Sequence, residues 1–473
     1  MKAWSSEKIS VFALVLLITG AIDSVRTLPS TALFGASSVF FFVISALFFL
    51  IPVALISAEL TSTFSEAEGG VYSWVKHAFG PKFAFFAIWL QWINTLIWYP
   101  TMLSFIAGTL AYLIYPDLAQ NKFYLISVIL IVFWSLTFLG LSGLKASARF
   151  AAFCAIIGMI IPMGLIILMG VLWVIQGNPL AIDLSPEAFI PKFNNSTSWS
   201  SLTAIMTAYL GMELAAVHVR NVQRPQRNFP KAIGISVLFI LITMIFGSLA
   251  IAVVLPQNKI SLIQGLMQAF NDFFHAYHLG FLMPGIVLMI LIGSIGGMIN
   301  WILSPAKGLL LAAEQGFLPA VLRTLNAHGI PSRILLLQAS VVTLLCGLIL
   351  FLPSINAIYW LLTDLSTELY LIMYVVMFIA ALHIKSKFSH KKREFVIPFG
   401  LFGYYFICIM GLVGCGVALV VGFFPPENSM DLGGANHFRV IFSLGIVCML
   451  LPFAVFYLKQ SRSTRKIKSS AST

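Results

Sequence analysis

Charge is what this chain has least of. Of its 473 residues only 9% are Asp, Glu, Lys or Arg, whereas 60% are hydrophobic. A soluble domain carries about a quarter charged residues, so the chain lacks the polar groups to cover several water-facing domains. Motifs of energised or covalent chemistry are missing too. No G-x-x-x-x-G-K-[ST] phosphate loop occurs, which excludes an ATP-driven pump in this chain alone. No H-E-x-x-H, G-x-S-x-G or G-x-G-x-x-G offers an enzyme its reacting groups. No filter-like stretch or repeated ring of charge points to a channel. The five cysteines (Cys154, Cys346, Cys408, Cys415 and Cys448) sit in apolar runs without CxxC spacing or histidine neighbours. Neither a metal site nor a disulfide framework is expected of them, and they read as small core- or lipid-facing residues. No cofactor is implied.

What is present is a series of long apolar runs. A bilayer core takes roughly 20 apolar residues per helix. Qualifying runs begin near Ile9, Ser37, Lys82, Phe123, Phe150, Ser200, Lys231, Leu282, Arg333, Ala357, Pro398 and Phe438. Twelve transmembrane helices are therefore expected, because only helices satisfy their own backbone groups in lipid. Turn clusters such as Tyr115-Pro116-Asp117, Gly177-Asn178-Pro179 and Phe424-Pro425-Pro426-Glu427-Asn428 separate them. The start of the chain reads as an uncleaved first span. Asn194-Asn195-Ser196-Thr197 holds two overlapping glycosylation sequons, which matter only in a eukaryotic host.

Twelve spans put both termini on one side of the membrane. The termini and the loops on their side hold 23 of the 28 Lys and Arg residues, including Arg220, Arg224, Arg227 and Lys231 of the loop after span 6. The opposite loops hold Lys122, Lys192, Lys259 and Arg439, and Arg26 falls inside span 1. That asymmetry predicts cytoplasmic termini and accounts for the net charge of +12 without nucleic acid.

Spans 1 and 6 are unusual. Span 1 passes through Thr19-Gly20-Ala21-Ile22-Asp23-Ser24-Val25-Arg26-Thr27-Leu28-Pro29, and span 6 through Tyr209-Leu210-Gly211-Met212-Glu213. Each has a glycine followed within three residues by a carboxylate, and each opens a block of five spans. Interrupted helices at matching places in two halves point to a transporter's binding site, where freed N–H groups meet a carboxylate and freed carbonyls an amine. Charges inside a membrane cost about 2.5–3.5 kcal/mol each on insertion scales and are functional by default. Asp23 and Arg26 neutralise each other if helix persists between them; otherwise Asp23 receives a cationic group of the substrate. Glu213 has no cation in its own span and reads as a proton-coupled latch. Asp364 and Glu368, spaced i,i+4 beside Ser366, are expected to face the bundle interior. Gln91, Trp92, Asn94, Thr95 and Trp98 give span 3 a polar-aromatic stripe, as Ser294, Gly296, Gly297, Asn300 and Trp301 do for span 8. The Gly296-Gly297 pair suits close helix packing.

Several stretches together resemble the amino acid–polyamine–organocation transporters, and look most like their bacterial glutamate/GABA antiporter branch. They are Ala58-Glu59-Leu60 leading to Glu68-Gly69-Gly70-Val71-Tyr72-Ser73-Trp74-Val75 and Phe79-Gly80-Pro81; Tyr209 to Glu213 with His218-Val219 and Pro225-x-Arg227-x-Phe229-Pro230; and Trp301 to Gly308 followed by Phe317-Leu318-Pro319. The resemblance implies an all-α membrane protein of the leucine-transporter fold, with discontinuous helices 1 and 6 in two inverted five-helix repeats and two extra helices. Its parts are expected at 1–8 (cytoplasmic N-terminus), 9–176 (first repeat), 177–199 (extracytoplasmic loop), 200–383 (second repeat), 384–458 (helices 11 and 12) and 459–473 (basic tail). It further implies amino-acid exchange by alternating access in a bacterial inner membrane; the alternative is a uniporter or a non-transporting nutrient receptor on the same fold. The partners implied are a small amino acid or amine and the lipid bilayer. Carried over by position, Thr19, Gly20, Ala21, Ile22, Asp23 and Ser24 would cradle the α-carboxylate. Tyr209, Leu210, Gly211 and Met212 would meet the α-amino group, with Trp98 and Met298 as further substrate-binding residues. Met298 matches the gating tryptophan of the arginine/agmatine antiporter. Glu213, with Asp364, Glu368 and Arg26, would serve gating and proton coupling. Two departures stand out: Ile22-Asp23-Ser24 replaces a common Gly-Ser-Gly, and Gly297 stands where the glutamate carrier has a span 8 carboxylate.

Overall fold

The computed structural model describes residues 10–64, 70–143, 148–191, 196–214, 222–350, 354–389, 391, 393, 395–424 and 434–470. Segment 1–8, Glu68-Gly69, Asn194-Asn195, His218-Val219 and Pro425 to Asn428 lie outside the described residues. Seventeen α-helices follow one another among those residues: α1 (Val11–Ile22), α2 (Leu28–Ala32), α3 (Ser38–Ser45), α4 (Ile51–Thr63), α5 (Val71–Phe79), α6 (Pro81–Ile114), α7 (Lys122–Leu141), α8 (Ala148–Ala155), α9 (Ile161–Ile175), α10 (Ser196–Ala208), α11 (Pro225–Val254), α12 (Gly265–Ala276), α13 (Met283–Glu314), α14 (Ser332–Ile349), α15 (Ile355–Lys387), α16 (Gly400–Val421) and α17 (Ala435–Ser470).

Nine helical segments among the described residues are long and apolar enough to cross a bilayer, and three more apolar helices are shorter: Val11–Gly20, Leu202–Leu214 and Ser332–Gly347. Two of the short ones are the spans expected to be interrupted. The sequence did not reveal α5 or α12, whose apolar faces are too short for a span; α5 packs on α6 and α15, and α12 on α11 and α13.

Two spans widen where proline enters them. α3 joins α4 through a π-helical turn at Ala46–Leu50 just before Pro52, and α8 joins α9 through one at Ile156–Ile160 just before Pro162. Proline supplies no N–H to the ladder, and the wider turn absorbs the loss without ending the helix. The second turn also brings two backbones together. A Cβ built on Gly158 would lie 2.1 Å from the Gly293 Cα of α13, so no larger residue fits either position. Gly296 likewise abuts Cys154, whose Sγ would be 2.3 Å from an added Cβ, so of the glycine pair Gly296 has the packing role expected, whereas a Cβ on Gly297 would meet nothing within 4 Å.

α6, α13 and α15 form the centre and pack directly on one another or through α6. Burial reaches 72% of the apolar window in α15 but only 6% in α17, which places α17 at the lipid-facing rim. Buried Glu59 ties elements together at the end of α15 through ion pairs with Lys385 and with Arg393, whose Nε lies 3.6 Å from Oε1. The Lys385 ammonium lies 2.6 Å from Glu59 Oε1 of α4 and 4.3 Å from the centre of the Tyr404 ring, while Glu59 Oε2 accepts from the Ile397 N–H at 2.9 Å. Desolvated charges of this kind persist because each is paired and hydrogen-bonded.

Candidate functional site

Span 1 breaks later than its glycine. α1 continues through Gly20 and Ala21 to Ile22, and the chain is unwound from Asp23 to Thr27 before α2 begins. Of the stretch Thr19 to Ser24 expected to cradle substrate, only Asp23 and Ser24 are unwound, and Gly20 does not mark the break. The cause is Pro29, whose ring would clash with the carbonyl of Val25, four residues earlier, were the helix to continue. Gly20 has a packing reason instead: a Cβ there would lie 3.0 Å from Ala155 Cβ of α8. Asp23 leaves the helix with φ −64° and ψ 123°, its N–H still bonded to the Thr19 carbonyl at 2.7 Å.

The unwinding also separates Asp23 from Arg26, and no ion pair joins them among the described residues. Neutralisation across one helical turn fails because that turn does not exist. Asp23 Oδ2 instead accepts from the Thr243 hydroxyl of α11 at 2.7 Å, and Oδ1 is buried with no hydrogen-bond partner among the described residues. Arg26 turns the other way. Its Nη1 donates to the Tyr359 hydroxyl of α15 at 2.7 Å and to Thr101 of α6 at 3.4 Å, and its guanidinium lies 5.7 Å from the centre of the Trp98 ring.

Span 6 breaks where the sequence placed it. α10 ends at Ala208, a turn covers Tyr209 to Gly211, and one tight helical turn spans 212–214. Gly211 has φ +107°, a conformation open to glycine and strained for any other residue. Its N–H donates to the Tyr374 hydroxyl at 2.9 Å. Glu213 is buried and fully engaged: Oε1 accepts from Tyr370 at 2.5 Å and from Gln91 Nε2 at 3.3 Å, and Oε2 accepts from Tyr374. The span 6 break lies close to the end of α1, since a Cβ added to Gly211 would lie 3.8 Å from Ile22, and 3.7 Å from Trp301 of α13.

Beside them lies a cavity of about 240 Å³. Gly20, Ile22, Asp23, Ser24 and Arg26 line it from span 1; Asn94, Thr95 and Trp98 from α6; Thr207 from α10; Ser294, Gly297, Met298 and Trp301 from α13; and Ser366 and Tyr370 from α15. Trp98 and Trp301 pair across one wall with ring centres 5.0 Å apart, and Ser366 donates to Asn94 Oδ1. The polar stripes of spans 3 and 8 therefore converge. Other expected residues are elsewhere. Thr19, Tyr209, Gly211, Met212 and Glu213 stand outside the lining, with Tyr209 donating to the Phe42 carbonyl at 3.3 Å. Asp364 and Glu368 are buried as expected but face away from the cavity, and Glu368 lies against Gly422, the residue that caps the C-terminus of α16.

Thr101, Thr243, Tyr359, Tyr370 and Tyr374, which orient the charges, escaped the sequence reading. One signal was available: Tyr370 and Tyr374 sit i,i+4 on one face of an apolar helix, where two hydroxyls need a buried acceptor.

Comparison with known proteins gives the arrangement a context. An uncharacterised transporter of Legionella pneumophila is 42% identical over 424 residues, covering 90% of this chain and 91% of that protein. A glutamate/gamma-aminobutyrate antiporter of Lactococcus lactis is 30% identical, covering 97% of this chain and 92% of its own length. A probable agmatine/putrescine antiporter of the same species is 25% identical over 83% of this chain and 82% of that protein. The family model for amino acid permeases matches residues 9–453. Matched so over nearly its whole length, the chain belongs to the amino acid permease family, within the amino acid–polyamine–organocation superfamily.

Proposed function

We propose that this protein is a secondary antiporter that exchanges an amino acid or amine across a bacterial inner membrane by alternating access. The cavity beside the breaks of spans 1 and 6 is its transport site. The observation that carries this reading is one polar-and-aromatic cavity lined by residues of both interrupted spans, Asp23, Ser24 and Arg26 of the first and Thr207 and Leu210 of the sixth. Twelve spans, in inverted repeats over 9–176 and 200–383 with helices 11 and 12 over 384–458, give it cytoplasmic termini. Glutamate/gamma-aminobutyrate and agmatine/putrescine antiporters among its relatives support exchange over one-way carriage.

Glu213 acts as the latch. Tyr374 bonds both the Glu213 carboxylate and the Gly211 N–H, so a change in the hydrogen bonding of Glu213 reaches the span 6 break through one hydroxyl. Proton binding at Glu213 would alter that hydroxyl's partners and bias the break between its arrangements. Asp364 and Glu368 lie too far around α15 to meet the substrate directly, and any coupling role runs through the packing of α15 against α16.

Uptake of labelled amino acids into liposomes holding the purified protein tests this. An exchanger takes up label only when unlabelled substrate is inside. Uptake without internal substrate would mark a uniporter, and binding with no uptake would mark a receptor.

A further inference from the structure

We propose that Asp23 and Arg26 form a split recognition pair, with Asp23 taking the ammonium and Arg26 the carboxylate of a substrate that is neutral overall. The inference rests on the cavity being the transport site, and it names that site's substrate class. Among the described residues these are the two charged side chains that line the cavity. They are three residues apart yet unpaired, each drawn to a different wall: Asp23 by Thr243 of α11, Arg26 by Tyr359 of α15 and Thr101 of α6.

Both side chains are 3% exposed, and both keep an atom without a hydrogen-bond partner among the described residues, Asp23 Oδ1 and Arg26 Nε. Opposite charges withdrawn from water normally close on each other, because an unpaired one carries its full desolvation cost. Here hydroxyls hold them apart. A molecule bearing one ammonium and one carboxylate completes both with charge-assisted hydrogen bonds. A dication leaves Arg26 opposed by a like charge, and a dianion does the same to Asp23, so the pair rejects both. This assignment reverses the role that family resemblance gives the first break. A carboxylate at Asp23 repels a substrate carboxylate and draws its amine, and the substrate carboxylate turns toward the Trp98–Tyr359 side, where the guanidinium lies.

The test measures thermal stabilisation of the purified full-length protein by three probe classes: neutral amino acids including γ-aminobutyrate, putrescine, and glutarate. The wild type should be stabilised by at least one neutral amino acid, and by neither putrescine nor glutarate at tenfold higher concentration. Asp23→Asn should weaken the best amino acid at least about tenfold, the equivalent of 1.4 kcal/mol, and raise glutarate relative to it. Arg26→Gln should weaken it similarly and raise putrescine instead. Wild-type protein that binds putrescine or glutarate as well as its best amino acid overturns the proposal, and so does either variant keeping the wild-type order. If a variant fails to fold, the wild-type panel decides alone. Exchange in liposomes separates the two readings. Selective binding without exchange removes the antiporter and keeps the pair, whereas exchange with the order of probes unchanged in both variants removes the pair and keeps the antiporter.

Discussion

The two interrupted spans solve the same backbone problem with opposite polar chemistry. In span 6 the carboxylate is satisfied from within: Glu213 accepts from Tyr370, Tyr374 and Gln91, and one of those hydroxyls also receives the Gly211 N–H. In span 1 the carboxylate is half satisfied, with Thr243 on one oxygen and no partner on the other among the described residues, and the nearby guanidinium is turned away. A buried charge whose partners are all built in holds structure together and transmits change. One left open at a cavity is available to a ligand. This difference is what the proposed roles rest on, gating at the sixth span and recognition at the first.

That division predicts unequal costs of mutation. The largest belongs to Glu213→Ala, which strands the Tyr370 and Tyr374 hydroxyls and should destabilise the protein by about 3 kcal/mol or more, read as a lower melting temperature in detergent. A melt like that of the wild type would mean the network is not structural. Next come the two glycines. Gly211→Ala forces φ +107° on a residue with a Cβ and should cost about 1–3 kcal/mol together with slower exchange. Gly20→Ala lies inside α1, where alanine gains roughly 0.8–1.0 kcal/mol of helix propensity against a close contact with Ala155, so its net effect should be small. Equal damage from the two would restore a break at Gly20. The smallest effect is on the stability of Asp23→Asn. An amide can still accept from Thr243, so melting should stay within about 0.5 kcal/mol of wild type. A large loss would return Asp23 to a structural role.

Much of this was legible in the sequence for stated physical reasons. Apolar runs of bilayer length located the nine long apolar helices seen among the described residues, and the glycine-carboxylate pattern located the span 6 break, because Gly211 adopts a conformation other residues resist. The span 1 break was misplaced because a glycine alone does not end a helix. Proline does, and Pro29 acts on residues before it. Of the two readings left open for Asp23 and Arg26, the ion pair required intact helix between them, and the unwinding from Asp23 to Thr27 removes it. The two tyrosine partners of Glu213 lie on α15, more than 150 positions along the chain, and their meeting with it depends on packing that no local pattern encodes. The convergence of the span 3 and span 8 stripes was foreshadowed by their polar content, but not their common wall, where Trp98 meets Trp301.

The central claim is that substrate occupies the cavity between the two breaks. A single cysteine at Ser294, on the α13 wall of that cavity, tests it most directly. The Ser294→Cys variant, with its five native cysteines replaced, is alkylated by a small thiol reagent with and without a transported amino acid, and its exchange in liposomes is then measured. The account predicts that alkylation abolishes exchange and that amino acid at ten times its dissociation constant slows alkylation about tenfold, as occupancy by mass action requires. Full exchange by the alkylated protein, or alkylation at the same rate with substrate present, would contradict it.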